Sequence, residues 1–198
     1  MKLAIIGSAI AGGCVQIVDV VQADQLANDI RIYDDSIDAQ GCNILGVPVV
    51  GTLERIDLDI SDGLIDAAII AVGSISPREE LFNRFLNKSI DFPNIVSSKA
   101  IVSSSAVLGV GNIILPQVYI GPKVLISDNN YFTTLTAINH DTSIGSHCYF
   151  STSVAVAGRV TIRDRIRFDT GCSITADAFV EADSLIGPGE VYGPVRGR

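Results

Sequence analysis

Residues 132–168 read FTTLTAINHDTSIGSHCYFSTSVAVAGRVTIRDRIRF, and an aliphatic or aromatic residue recurs at every sixth position of this stretch. The same period extends without an insertion from Val102 to Tyr192. The residue four positions after each of these anchors is mostly small or β-branched. Neither the 3.6-residue period of a helix nor the two-residue period of a strand produces this pattern. A six-residue repeat is typical of a parallel β-helix, in which three sides form a coil of about 18 residues.

The 18-residue coil predicts which side chains become neighbours. Phe132, Phe150 and Phe168 are spaced by 18 residues, so we expect an aromatic ladder inside one corner of the coil. Cys148 and Cys172 differ by 24 residues, which places them on different sides. We expect no disulfide between them and interpret both as small, inward-facing fillers.

Residues 1–96 follow a different pattern, typical of a small α/β unit. Residues 3–7, 30–34 and 67–73 are apolar runs that end in Gly or Asp, as buried parallel strands do. Ser76 followed by Pro77 predicts a helix N-cap and first helical position. We therefore expect two domains, residues 1–96 and residues 97–198.

Composition excludes several functional classes. The 198-residue chain has a net charge of −8, of which −7 falls in residues 1–101, and it has no basic stripe that would favour nucleic-acid binding. Its mean hydropathy is +0.40, yet no run reaches the ~18 apolar residues of a membrane-spanning helix. The four cysteines form no CxxC pair, and the N-terminal apolar run is too short for a signal peptide. We expect a cytoplasmic protein without membrane insertion.

The order of motifs along the chain resembles the bacterial sugar O-/N-acetyltransferases of the NeuD/PglD type, within the hexapeptide-repeat acyltransferase superfamily. The motifs that carry the resemblance are the Gly-rich turn after Lys2–Gly7, Tyr33-Asp34-Asp35, residues 46–54, residues 68–73, residues 97–107 and the hexapeptides. The resemblance implies a Rossmann-like domain followed by a left-handed parallel β-helix. It also implies a homotrimer that binds acetyl-CoA between adjacent helices, and no metal is expected.

In this family a histidine followed by an acidic residue lies in one hexapeptide turn and acts as the base, which matches His140 and Asp141. A neutral imidazole suits proton abstraction near pH 7, and a neighbouring carboxylate can hold its tautomer. Adjacent side chains in an extended segment point to opposite faces, so Asp141 reaches His140 only if the turn bends. The alternative is a solvated turn histidine.

The resemblance also assigns residues around acetyl-CoA. Gly158, one coil beyond His140, matches the glycine whose amide stabilises the oxyanion, although any β-helix corner tolerates glycine. Arg159 and Ala176 are further candidates for contact with acetyl-CoA. The arginine cluster either binds CoA phosphates or forms salt bridges in the trimer with Asp164 and Asp169; it comprises Arg159, Arg163, Arg165 and Arg167.

The nucleotide-linked sugar is expected at the N-terminal domain, where a Gly-rich turn and an acidic pair match the family. These candidates are Gly7, Ser8, Gly12, Gly13, Asp34 and Asp35. A second family histidine is replaced by Tyr149, which either contacts the acetyl group or sugar in its place or leaves that contact absent. His147 is interpreted as an exposed turn residue.

Together these features predict an acetyl-CoA-dependent acetyltransferase acting on the amine of a nucleotide-linked 4-amino sugar by direct attack. One alternative is a sialic-acid-type sugar O-acetyltransferase. A second is a non-catalytic nucleotide-sugar-binding β-helix, which the altered Gly-rich loop and a shortened C-terminal tail favour.

Overall fold

The structure of the protein is a computed structural model that describes residues 1–7 and 12–194. The chain divides into two compact units, Met1–Ile95 and Val96–Arg198. Within the described residues, no helix has the length and apolar character needed to cross a membrane.

The described part of the N-terminal unit is built around a five-stranded sheet with the strand order β3-β4-β2-β1-β5. The strands are β1 (Lys2–Ile6), β2 (Asp29–Tyr33), β3 (Asn43–Ile44), β4 (Val47–Gly51) and β5 (Ala67–Ile70). Strand β1 pairs in parallel with β2 and β5, β2 pairs in parallel with β4, and β3 is antiparallel to β4. The strands predicted in residues 3–7, 30–34 and 67–73 are therefore confirmed as β1, β2 and β5, in that order. Strands β3 and β4 were not predicted.

The helices of this unit are α1 (Gly13–Ala23), α2 (Arg55–Ser61) and α3 (Ile75–Leu86), with a 3₁₀ turn at Ile37–Ala39. Helix α3 begins earlier than predicted, because Ser74 rather than Ser76 occupies its N-cap. Pro77 lies in the first turn, where backbone N–H groups have no acceptor within the helix, so its missing N–H costs little.

The C-terminal unit is a parallel β-helix whose coils contribute one short strand to each of three sheets. The first face contains β7 (Ile101–Val102), β10 (Tyr119–Ile120), β13 (Ala137–Ile138), β16 (Ala155–Val156), β19 (Ser173–Ile174) and β22 (Val191–Tyr192). The second contains β8 (Val107–Leu108), β11 (Leu125–Ile126), β14 (Ser143–Ile144), β17 (Thr161–Ile162) and β20 (Phe179–Val180). The third contains β6 (Ile95–Val96), β9 (Ile113–Ile114), β12 (Tyr131–Phe132), β15 (Tyr149–Phe150), β18 (Arg167–Phe168) and β21 (Leu185–Ile186).

The predicted 18-residue register is confirmed by the pairing of the strands. Phe132 pairs with Phe150, and Phe150 with Phe168. Their rings stack with centroid distances of 4.6 and 4.5 Å, and all three side chains are buried. The second residue of each strand points inward, so the six-residue anchors form one continuous core.

Cys148 and Cys172 lie in the same core as the predicted fillers, and all four cysteines are free thiols. Burial raises the pKa of the Cys148 thiol to about 12 and that of Cys172 to about 11. Thiols in this state are inert packing groups.

The strands are joined at three corners, which follow the first, second and third faces and are named in that order. At each corner a non-glycine residue often adopts the left-handed conformation, as Asp141 (φ 56°), His147 (φ 63°) and Ser153 (φ 62°) do. This conformation costs a non-glycine residue on the order of 1–3 kcal/mol, so it persists only where the surrounding structure holds the backbone in place. Stacking on the coils above and below supplies that constraint, and the corners bring neighbouring side chains together.

Candidate active site

His140 and Asp141 lie at the first corner, between β13 and β14. The Nδ1 atom of His140 is 2.7 Å from Oδ2 of Asp141, and both side chains are about half exposed. The left-handed conformation of Asp141 turns its side chain toward the preceding residue, which an extended segment would not do. The predicted contact between these two residues is confirmed.

The Asp141 carboxyl is held in its charged form. Its hydrogen bond with His140 lowers the pKa of Asp141, and the positive charges of Lys123 and Arg159 lower it further. An ionised carboxylate only accepts, so the Nδ1–H group of His140 donates to it. The neutral ring then carries its lone pair on Nε2, the atom available to take a proton.

Gly158 lies against the imidazole ring of His140. A Cβ atom added to Gly158 would lie 2.7 Å from both Cε1 and Nε2 of that ring, closer than side chains approach one another. The absence of a side chain at Gly158 therefore allows the ring to occupy this position. Within the part of the chain that the structure describes, the Gly158 N–H donates no backbone hydrogen bond, while its carbonyl accepts one from Asp177.

Two residues beside His140 were not singled out from the sequence. Asn139 donates a side-chain hydrogen bond to the Val156 carbonyl at 2.9 Å, which ties the corner to the next coil. A Cβ at Gly121 would lie 3.0 Å from the backbone nitrogen of His140. Gly121 precedes Asn139 by one coil, so the 18-residue spacing could have identified it.

The structure gives each of the four clustered arginines a partner within the chain. Three pair with carboxylates: Arg159 with Asp177 at 2.6 Å, Arg165 with Asp183 at 2.7 Å and Arg167 with Asp169 at 2.9 Å. Arg163 stacks over the ring of Phe179 at 5.5 Å. Of the two acidic residues considered as partners in a trimer, Asp169 pairs with Arg167 within the chain, whereas Asp164 accepts the Ser146 N–H at 2.7 Å.

The interpretation of His147 as an exposed turn residue is wrong. His147 lies at the second corner with 8% of its surface exposed, and its Nδ1 is 2.9 Å from Nδ2 of Asn129. A polar ring in that position is accommodated because the stacked coil provides a hydrogen-bond partner.

Tyr149 lies on the third face, away from the corner that holds His140. Its ring packs edge-on against Tyr131 at 5.3 Å and beneath the Arg167 guanidinium at 4.8 Å. Ala176, in contrast, follows Gly158 by one coil at the first corner. The structure thus brings His140, Gly158 and Ala176 into one column and leaves Tyr149 outside it.

In the N-terminal unit, the candidates lie where β1 and β2 end. Gly7 (φ 89°) donates its N–H to the Tyr33 carbonyl, Gly12 is the N-cap of α1, and Gly13 is its first residue. Ser8 lies outside the described residues.

The two acidic candidates hold their own loop. Asp34 accepts the Ser36 N–H at 2.7 Å, and Asp35 accepts the Leu53 N–H at 2.8 Å. Burial raises the pKa of the Cys14 thiol to about 12, and the negative charge of Asp34 contributes to this shift. Within the described residues, no group of three or more His, Cys, Asp or Glu side chains could hold a metal ion.

Comparison with solved structures relates this fold to acetyltransferases. The acetyltransferase domain of PglB from Neisseria gonorrhoeae, in complex with acetyl coenzyme A, matches with a TM-score of 0.87 and 23% identity over 95% of this chain and 88% of that one. PerB from Caulobacter crescentus, in complex with CoA and GDP-perosamine, matches with a TM-score of 0.69 and 24% identity over 96% and 91%. At these identities the likeness shows a shared fold.

Two curated relatives match a shorter segment, and both are named acyl-(acyl-carrier-protein)–UDP-N-acetylglucosamine O-acyltransferase. The protein from Agrobacterium fabrum is 33% identical over 67 residues, and the one from Xylella fastidiosa is 36% identical over 72 residues. The matched segment covers 34% and 33% of this chain but only 25% and 27% of those proteins. No family model matches the chain.

Proposed function

We propose that this protein is an acetyl-CoA-dependent acetyltransferase that acts on the amine of a nucleotide-linked 4-amino sugar. The observation that carries the proposal is the first corner itself. There a histidine hydrogen-bonded to an ionised carboxylate presents Nε2 beside a glycine whose N–H donates no backbone hydrogen bond to residues 1–7 or 12–194. A positioned base and an amide donor next to one another are what acyl transfer requires.

The proposed reaction is a direct attack without a covalent enzyme intermediate. The acceptor nitrogen attacks the thioester carbonyl carbon while Nε2 of His140 takes its proton, and Asp141 stabilises the imidazolium that forms. The Gly158 N–H stabilises the negative charge on the carbonyl oxygen. Collapse breaks the carbon–sulfur bond, and the imidazolium returns the proton to the leaving thiolate, so the products are the acetamide and CoA.

Residues other than His140, Asp141 and Gly158 complete the proposal. The nucleotide-linked sugar would bind at the N-terminal unit through Gly7, Ser8, Gly12, Gly13, Asp34 and Asp35, in a Rossmann-like arrangement. Arg159 and Ala176 would contact CoA, and Tyr149 would contact substrate. In support, the solved structures with this fold include one with acetyl coenzyme A and one with CoA and GDP-perosamine.

We further propose a left-handed coil, a homotrimer and a cytoplasmic location. Support for the trimer comes from large apolar side chains that point outward from the first and second faces. Ile101, Leu125, Phe179 and Val191 are 46–66% exposed in the single chain. Exposed apolar surface of this kind marks subunit contacts.

A second candidate is acylation of a sugar hydroxyl. The curated relatives that match part of the chain are O-acyltransferases acting on a UDP-linked sugar. The same base and amide donor would serve a hydroxyl nucleophile, so the choice between nitrogen and oxygen depends on the acceptor that is bound.

The test measures release of the CoA thiol from acetyl-CoA with a panel of nucleotide-linked 4-amino sugars and their 4-hydroxy counterparts. We expect turnover with an amino sugar and a loss of about 10²–10⁴-fold in kcat for His140→Ala. The matched control is Ser104→Ala, an exposed residue two coils before His140 in the same column. Turnover only with hydroxyl acceptors would support the second candidate, and full activity of His140→Ala would contradict the mechanism.

A further inference from the structure

The left-handed position of the first corner carries charges of alternating sign in four successive coils. Lys123, Asp141, Arg159 and Asp177 occupy it, with φ values of 58°, 56°, 61° and 63°. We refer to these four residues as the charged column. Because successive coils are separated by one strand spacing of about 4.8 Å, each charge has an opposite charge as its neighbour above or below.

Arg159 lies between two carboxylates at equal distances along the chain, Asp141 one coil before it and Asp177 one coil after it. The structure pairs it with Asp177: Nε donates to Oδ1 at 2.6 Å and an Nη atom donates to Oδ2 at 3.1 Å. Asp141 is then the hydrogen-bond partner of His140 at 2.7 Å. The charge of Arg159 still acts on Asp141 and lowers the pKa of that carboxyl.

We propose that Asp177 is a positioning residue whose role is to hold the Arg159 guanidinium away from Asp141, so that Asp141 remains the partner of His140. The proposal rests on the proposed function in that His140 is taken as the base. The Asp177 side chain contacts no reacting atom in that mechanism, and the role proposed for it is exerted through Arg159.

The physical reason is a competition for one carboxylate. A bidentate bond between a guanidinium and a carboxylate is stronger than a bond from a neutral imidazole N–H. Without Asp177, Arg159 would turn to the carboxylate on its other side. His140 would then lose the acceptor that keeps its proton on Nδ1, and Nε2 would carry the proton instead.

The second corner provides a matched control. Arg165 and Asp183 form the same bidentate pair there, with distances of 2.7 and 3.0 Å. One coil before Arg165, however, stands His147 rather than a carboxylate. Breaking this pair perturbs an arginine at the equivalent left-handed position of its corner, where the residue one coil before is a histidine and not a carboxylate bonded to one.

The experiment compares Asp177→Asn in two backgrounds, wild type and Arg159→Gln, with Asp183→Asn as the control. We expect Asp177→Asn to lower kcat by about 10- to 100-fold in the wild-type background and by less than about twofold in the Arg159→Gln background. Asp183→Asn should leave kcat within about twofold of wild type. If Arg159 also binds CoA, Arg159→Gln changes KM in both the single variant and the double variant that carry it. The comparison of kcat between those two variants is then unaffected.

A second measurement does not depend on turnover. Ring ¹⁵N chemical shifts of the tag-free protein above about pH 8, where an ordinary imidazole is neutral, report which nitrogen carries the proton. His140 and His147 are the only two histidines, so His140→Ala assigns the signals. We expect the His140 proton on Nδ1 in wild type, on Nε2 in Asp177→Asn, and on Nδ1 again in the double variant.

The outcomes separate the two proposals. If wild type acetylates no acceptor, the proposed function fails, while the ring nitrogen shifts still decide the role of Asp177. If Asp177→Asn leaves the His140 tautomer unchanged, or lowers kcat equally in both backgrounds, the positioning role is overturned and Asp177 serves only the stability of the coil.

Discussion

The contact between Gly158 and His140 makes Gly158→Ala the sharpest single test of the proposed site. The added Cβ would lie 2.7 Å from Cε1 and Nε2 of the ring, whereas ordinary contacts begin at 3.4 Å, so the ring must move by about 0.7 Å. Alanine keeps the backbone N–H, so the oxyanion donor remains. A displacement of about 1 Å of a catalytic group costs on the order of 10²-fold, and we expect kcat to fall about 10- to 100-fold.

Stability should change little in the same variant. Gly158 has no left-handed φ, so alanine fits its backbone, and the obstructing atoms belong to a half-exposed side chain that can move. A change of less than about 1 kcal/mol corresponds to a Tm shift of less than about 4 °C in a chain of this size. Thermal unfolding followed by circular dichroism, together with steady-state kinetics, separates the two effects.

Gly187→Ala is the matched control for this substitution. Among the residues that the structure describes, its Cβ would meet only the flexible end of Glu190, at 3.3 Å. We expect kcat within about twofold of wild type. If Gly158→Ala retained kcat within about threefold of wild type, then either Nε2 of His140 does not take the proton or its position against Gly158 has no catalytic importance, and the reasoning would be refuted.

Three further predictions concern stability and reactivity. Phe150→Ala removes the middle ring of the aromatic ladder and should lower the free energy of unfolding, measured in urea, by about 3–5 kcal/mol. Phe150→Leu should have a much smaller effect, and equal effects of the two substitutions would show that the ladder is loosely packed. Ellman's reagent should react rapidly with one thiol of the native protein, that of the partly exposed Cys42, and with all four thiols in denaturant. The other three thiols are buried and have raised pKa values, so rapid reaction of two or more thiols in the native protein would contradict this prediction. Arg165 lowers the pKa of Asp183, so their pair stabilises the fold above the ordinary carboxyl pKa of about 3.9, and this contribution is lost as pH falls through the lowered value. Asp183→Asn should therefore lower Tm at pH 7, and this Tm difference should shrink as the pH falls below about 3.9. A Tm difference that stayed constant in acid would exclude the ion pair as its cause.

The repeat was readable from the sequence because its physical requirement is local and periodic. The anchor at every sixth residue points into a narrow coil and is apolar, and one inserted residue would turn the next anchor outward. The short strand β4 was harder to see, because it contains Pro48, a residue that usually argues against a strand. Pro48 is tolerated there beside the two-residue strand β3.

Side chains at the corners were less predictable. The residues around His147 have the composition of a solvated turn. Only the stacking of the coils shows that Asn129 forms a hydrogen bond with its ring. The partners of the arginine cluster were also hard to predict, because they depend on which coils stack. Asp164 accepts a backbone N–H, and Arg165 pairs with Asp183 in the next coil.

The sequence by itself determined the parallel β-helix, its 18-residue register and the column in which His140, Gly158 and Ala176 align. Only the tertiary structure decided which side chains in the charged column pair. Stacking places Asp141 and Asp177 one coil on either side of Arg159, and the sequence spacing to the two carboxylates is identical. The backbone is left-handed at both carboxylates, with φ 56° at Asp141 and 63° at Asp177, so the choice depends on neighbouring side chains. His140 precedes Asp141 and bonds to its carboxylate, whereas Asp177, which follows Ala176, pairs with Arg159.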